Sequence, residues 1–210
     1  ISSKTGATNH NVCEVYNEDV TNLMTSSSSS LYSSKSLAAA VIAYQEGGDI
    51  KRVYFEGSID ISADDYAGGI VAYATGGTID LSGANTADYN PFTNCSIVVM
   101  ANRAGGMIGH AEIEIKNYLL NNNVEVAGAN ISGGFIGEVD TSKNLTYTSL
   151  NNDGIKVGSA QYAAGIVGRI VHLSTTVYVK LKDCTNDSNI TATKTAGGLV
   201  GSATVLVLEG

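Results

Sequence analysis

Three histidines (His10, His110, His172) and three cysteines (Cys13, Cys95, Cys184) are the side chains best suited to metal or nucleophilic chemistry. Their spacing serves neither. No histidine has a Cys, Asp or His at the short intervals from which metal sites are built. No Ser-His-Asp set assembles on spacing grounds. No Gly-rich stretch runs on into the Lys-Ser/Thr that completes a phosphate loop. Neither a metal nor a cofactor is expected, and no catalytic residue is assigned. The carboxylates come closest to a chemistry. Asp60 and Asp80 lie in strand-like alternation in neighbouring segments, and a carboxylate pair across strands is what glycoside cleavage requires. Asp64 with Asp65, and Lys180 and Lys182 with Arg169, are the other candidate sets. Against them, Ile59-Asp60-Ile61 and Ile79-Asp80-Leu81 read as strands whose aspartates are the outward polar positions.

Other residues point to surfaces. Among eleven tyrosines are Tyr66, Tyr73, Tyr89, Tyr118, Tyr147, Tyr162 and Tyr178. Tyr147 and Tyr178 are expected to face outward on corresponding strands one coil apart, as a strip for sugars or for subunit docking. Glycosylation sequons begin at Asn94, Asn130, Asn144, Asn186 and Asn189. They are acceptors only in a glycosylating secretory pathway.

These residues must be positioned by a repeat. Ala67-Gly68-Gly69-Ile70-Val71 returns as Ala104-Gly105-Gly106-Met107-Ile108, Ser132-Gly133-Gly134-Phe135-Ile136, Ala163-Ala164-Gly165-Ile166-Val167 and Ala196-Gly197-Gly198-Leu199-Val200, with a worn copy at Ala39-Ala40-Val41-Ile42. The residue before the apolar pair falls at 40, 69, 106, 134, 165 and 198, which are steps of 29, 37, 28, 31 and 33. A period in this range marks a repeat architecture. Each copy is followed by alternating apolar-polar segments, such as Ile113-Glu114-Ile115 and Val124-Glu125-Val126, with Gly, Asn, Asp and Ser at the joints. Three short strands cannot enclose a core, but coils stacked on one another can. The expectation is all-β: a single-domain parallel β-helix of six to seven coils, each of three short strands, rather than hairpins of an antiparallel sandwich. The paired glycines are expected to sit at sharp corners, accepting positive φ and leaving room for the next coil.

Residues 1–36 are expected to form an irregular cap or degenerate coil in which Ser26 to Ser30 make a flexible loop, with O-glycosylation as the functional alternative. Residues 37–210 form the solenoid. The longest repeat carries its extra length between Ser82 and Asn94, with Tyr89 and Pro91, and this is the first place to look for a surface feature. The cysteines fall in different coils, too far apart for a disulfide, and are expected to be free, inward-facing fillers. Intermolecular pairing through Cys13 is the alternative.

The 210 residues carry 12 Lys and Arg against 20 Asp and Glu, a net charge of −8, so a nucleic-acid partner is not expected. No apolar run is long enough to insert in a membrane. No signal peptide opens the sequence, which reads as a mature product or part of a longer chain. The closing Val205-Leu206-Val207-Leu208 should leave an unpaired apolar edge that invites another chain.

The Ala-Gly-Gly-φ-φ-Gly pattern (φ here an apolar residue), with corners such as Asp183-Cys184-Thr185-Asn186, resembles the GLUG-type repeats of large cell-surface proteins over about residues 37–201. Ala164, Ala40 and Ala43 depart from it. The resemblance implies a secreted or surface-displayed β-solenoid with an adhesive or structural role and no catalytic residues to transfer. The expected function is therefore a non-enzymatic extracellular structural or adhesive module, self-associating or binding other surface proteins and glycans, such as a filament subunit. The alternative is a carbohydrate-binding or polysaccharide-cleaving β-helix.

Overall fold

A computed structural model describes residues 13–14, 29–33, 37–51, 55–80, 92, 94–121, 123–159, 161–172 and 176–210. Among them every regular element is a strand. A short β1 (Cys13–Glu14) comes first. The next coil holds β2 (Ser29–Ser33), β3 (Leu37–Ala39), β4 (Ile42–Gln45) and β5 (Asp49–Lys51). Then come β6 (Glu56–Ala63), β7 (Tyr66–Gly68), β8 (Val71–Ala74) and β9 (Thr78–Asp80). Two coils have three strands each: β10 (Asn94–Gly105), β11 (Ile108–Ala111) and β12 (Lys116–Asn121), then β13 (Val124–Gly133), β14 (Ile136–Asp140) and β15 (Leu145–Asp153). The following coil has five, β16 (Lys156–Ser159), β17 (Tyr162–Ala164), β18 (Val167–Val171), β19 (Val179–Lys182) and β20 (Thr185–Asn186). The last has β21 (Ile190–Ala192), β22 (Thr195–Gly197), β23 (Val200–Ala203) and β24 (Leu206–Glu209).

Strands pair in parallel with their equivalents one repeat away. The chain is a parallel β-solenoid. One sheet runs β4-β8-β11-β14-β18-β23, so six equivalent strands are separated by five coil-to-coil steps. From the first of these strands to the last the stack makes about five turns, where six to seven coils were expected, and its coils hold three to five strands rather than three. The difference arises because β13 crosses a corner unbroken, whereas the same span is cut into β16 and β17 in the next coil.

The register explains the sequence pattern. Ile61, Val99, Val126, Val157 and Ile190 stand in one inward column. Ile70 N donates to Met107 O at 2.9 Å, Met107 N to Phe135 O at 3.0 Å, Phe135 N to Ile166 O at 3.1 Å, and Ile166 N to Leu199 O at 3.2 Å. The apolar residue after the glycines is therefore a single file through the core. Burying each such side chain contributes about 1.5–3 kcal/mol, which no lone coil could collect.

The glycines work by close approach. A methyl added to Gly106 would strike the carbonyl oxygen of Gly134, its equivalent one coil on. Positive φ among described glycines occurs at Gly48, Gly57, Gly77 and Gly154, so the expectation of positive φ at the paired glycines does not hold. Ser29 and Ser30 lie in β2, paired to Ile59 and Asp60, and so belong to a strand rather than a loop. Ser26 to Ser28, and the Ser82–Asn94 insertion except for Phe92 and Asn94, lie outside the described residues, as do His10, Tyr89 and Pro91.

Candidate functional site

The corner of each repeat is tight enough to bring its two flanks together. A methyl on Gly68 would meet the carbonyl of Val71 across the turn. The residues flanking this turn, Tyr66 on β7 and Tyr73 on β8, consequently touch, with ring centroids 5.1 Å apart at 88°. Parallel stacking repeats the arrangement in every coil. The β7-side positions form a column Leu37, Tyr66, Arg103, Ile131, Tyr162, Thr195. The β8-side positions form a second, Tyr44, Tyr73, His110, Glu138, Arg169, Ser202. The two columns interlock into one polar and aromatic strip.

Glu138 is its centre, with a side chain only 8% exposed. Its Oε1 lies 3.1 Å from Nε of Arg103, and its Oε2 lies 3.8 Å from Nη1 of Arg169. The Tyr66 hydroxyl donates to Oε1 at 3.5 Å. Burial alone would raise the Glu138 carboxyl, but the neighbouring His110 ring and the two guanidiniums outweigh it and hold it below the usual carboxylate range. Each guanidinium also faces a ring. Arg103 sits 5.0 Å from the Tyr66 centroid, and Arg169 sits 6.0 Å from that of Tyr162. Lys194 Nζ donates to the Tyr162 hydroxyl at 3.0 Å and draws that phenol below its ordinary value.

At the other end, His110 stacks on Tyr73 at 4.0 Å and 8° and meets Tyr66 edge-on at 5.4 Å. Its Nε2 is 3.7 Å from Glu112 and its Nδ1 is 3.8 Å from Glu138, beyond hydrogen-bond length in both cases. Tyr73 continues the strip to Tyr44 at 5.7 Å, and Tyr44 is 49% exposed. Burial, then Glu138, pushes the Tyr66 phenol up to about 12. Two guanidiniums thus face aromatic rings with one buried carboxylate between them.

The carboxylates singled out by spacing do not converge. Asp60 is opposite Ser30 and Val98, whereas Asp80 is opposite Lys51 in a separate sheet. Asp64 and Asp65 occupy the bend before β7, where their carbonyls accept from the backbone of Asn102 and Arg103. Lys180 and Lys182 pair with Glu209 at 2.9 and 3.0 Å, in a different sheet from Arg169. Tyr147 is a correction: it is fully buried beside Leu145, because Thr146 and Thr148 take the outward positions. It is opposite Leu181, so it forms no strip with Tyr178.

Among the sequon asparagines, Asn144 and Asn189 are exposed, Asn130 and Asn186 are half-buried, and Asn94 opens β10. The Asn186 amide donates to Ser188 O at 3.1 Å. Cys95 is buried and Cys184 half-buried, both as free thiols, and Cys13 is opposite Ile50. No group of three His, Cys, Asp or Glu able to hold a metal occurs among the described residues.

Of the strip, Arg169, His110, Tyr66, Tyr73 and Tyr162 stand out in the sequence. A signal for the rest was present: the residue four places after the second glycine reads Tyr73, His110, Glu138, Arg169 in consecutive repeats. No family model, curated protein or solved structure matches this chain.

Proposed function

We propose that the chain is a non-enzymatic structural and adhesive β-solenoid of an extracellular or cell-surface protein, its last coil covered by a further coil, of the same protein or of a second copy as in a filament. One observation carries this reading. Leu208 stands in the core column Tyr147, Leu181, Leu208, yet it is 61% exposed, while Tyr147 and Leu181 are buried. A core-facing leucine left in water forgoes about 1.5–3 kcal/mol. Leu199, Val200, Leu206 and Ile190 in the same coil are only partly buried. The outermost strands β21, β22, β23 and β24 offer unpaired backbone, a template for another strand. The resemblance to GLUG-type surface repeats agrees with this role.

Sedimentation velocity and negative-stain microscopy of the chain test it. Concentration-dependent, end-to-end association that is lost in Leu208→Lys is the expected result. A strict monomer at every concentration refutes the second-copy, filament form of the reading. The second reading, a carbohydrate-binding β-helix, is favoured by the Tyr66–Arg103–Glu138–Arg169–Tyr162 strip. Cleavage loses its best candidates, since Asp60 and Asp80 are in separate sheets.

A further inference from the structure

We propose that this strip binds a carboxylated polysaccharide lying along the solenoid axis, with an acidic group seated at Arg169 and the sugar faces against Tyr162 and Tyr66. The inference specifies the second reading above, and its failure leaves the structural role untouched.

The charge distribution is the first argument. The chain is acidic, at −8, yet Arg103, Arg169 and Lys194 converge on two columns whose one carboxylate is Glu138, with Asp65 and Glu112 flanking the Tyr66–His110 end. Glu138 is buried beneath the arginines, whose side chains are 24% and 37% exposed. Its nearest approaches are 3.1 Å to Nε of Arg103 and 3.8 Å to Nη1 of Arg169, one nitrogen of each guanidinium. The remaining N–H groups keep the forked geometry that grips a carboxylate through two parallel bonds.

Spacing is the second. Arg103, Glu138 and Arg169 belong to successive coils, so the arginines are two strand spacings apart, about 9.6 Å along the axis. An extended polymer parallel to the axis meets both, whereas a single small anion does not. Each arginine is backed by a tyrosine ring, which offers an apolar face beside a hydroxyl.

The strip is also polar along its length. Asp65 directly precedes Tyr66, and Glu112 Oε1 lies 3.7 Å from His110 Nε2. Lys194 and Arg169 lie at the opposite end. Acidic groups therefore seat at the Arg169 end, and the sugar face there rests on Tyr162.

Affinity electrophoresis through gels containing polygalacturonate, dextran sulfate or neutral dextran, at low salt, tests the assignment. Polygalacturonate is expected to retard the chain and neutral dextran is not. Arg169→Gln and Tyr162→Ala should each weaken retardation about tenfold or more, as anchor residues do, and Lys194→Gln by less. All three side chains are at least partly exposed, and melting curves confirm that the variants are folded. The proposal is overturned if polygalacturonate has no effect, if folded Arg169→Gln and Tyr162→Ala bind like the parent, or if dextran sulfate is retained instead of polygalacturonate.

Discussion

Gly106 and Gly198 hold the same place in the repeat, and the same substitution should affect them oppositely. A Cβ on Gly106 would overlap the Gly134 carbonyl oxygen and come within 3.2 Å of Leu120 Cδ1 and Val124 Cγ1, all in a fully buried corner. The Gly106 N–H donates to that same carbonyl at 3.1 Å. Overpacking typically costs 1–3 kcal/mol, and losing one ladder bond adds about 1 kcal/mol. Gly106→Ala should therefore destabilise by about 3 kcal/mol, which lowers Tm by about 6–12 °C in a chain of this size. Gly198 has nothing within 4 Å of its added methyl, because no described coil lies beyond it. There Gly→Ala restricts the unfolded chain and should leave Tm unchanged or slightly raised. It should also hinder the end-to-end association proposed above, since the incoming coil would bring a carbonyl to that methyl. Paired thermal melts monitored by far-UV circular dichroism make the comparison. Equal Tm for Gly106→Ala and Gly198→Ala would refute the reasoning. Ala40 occupies this slot in the first copy, where Val41 and Ile42 are only partly buried and the packing is looser.

Two further substitutions probe buried polar groups. Glu138→Gln leaves Arg103 and Arg169 without their counter-charge and should cost about 3 kcal/mol, read by urea unfolding at pH 7. Because folding lowers the Glu138 pKa, its contribution is present above the ordinary carboxylate value of about 4.5 and is lost as the pH falls through the folded value. The gap between parent and variant should thus narrow in acid, and a pH-independent gap would contradict the assignment. The Tyr147 hydroxyl is buried without a hydrogen-bond partner among the described residues. Tyr147→Phe should be neutral or stabilising by about 1 kcal/mol, whereas a clear loss in Tm would reveal a partner for it.

The stacking was legible because it constrains composition directly. A second glycine recurs wherever one coil's corner touches the next coil's carbonyl, and the apolar residue after it must enter the core file. Coil boundaries were less legible, because β13 and the β16–β17 pair cover the same span with different breaks. Tyr147 was misplaced because a tyrosine suits either face, and the decision rests with its neighbours Thr146 and Thr148. The strip escaped notice for another reason. His110, Glu138 and Arg169 share no residue type, so similarity searching along the chain passes over them. Their relation is complementarity in the register between coils, and it is readable only once Ile108, Ile136 and Val167 are aligned.

A stack in which each coil grips only its neighbours is prone to fray inward from an end. The carboxylate clasped by arginines from the coils on either side works against this, as a rivet through three plates. Pulled from its C-terminal strand, the protein should peel readily past β23 and then catch at the Arg169 coil. The load would there be shared with the two coils beneath.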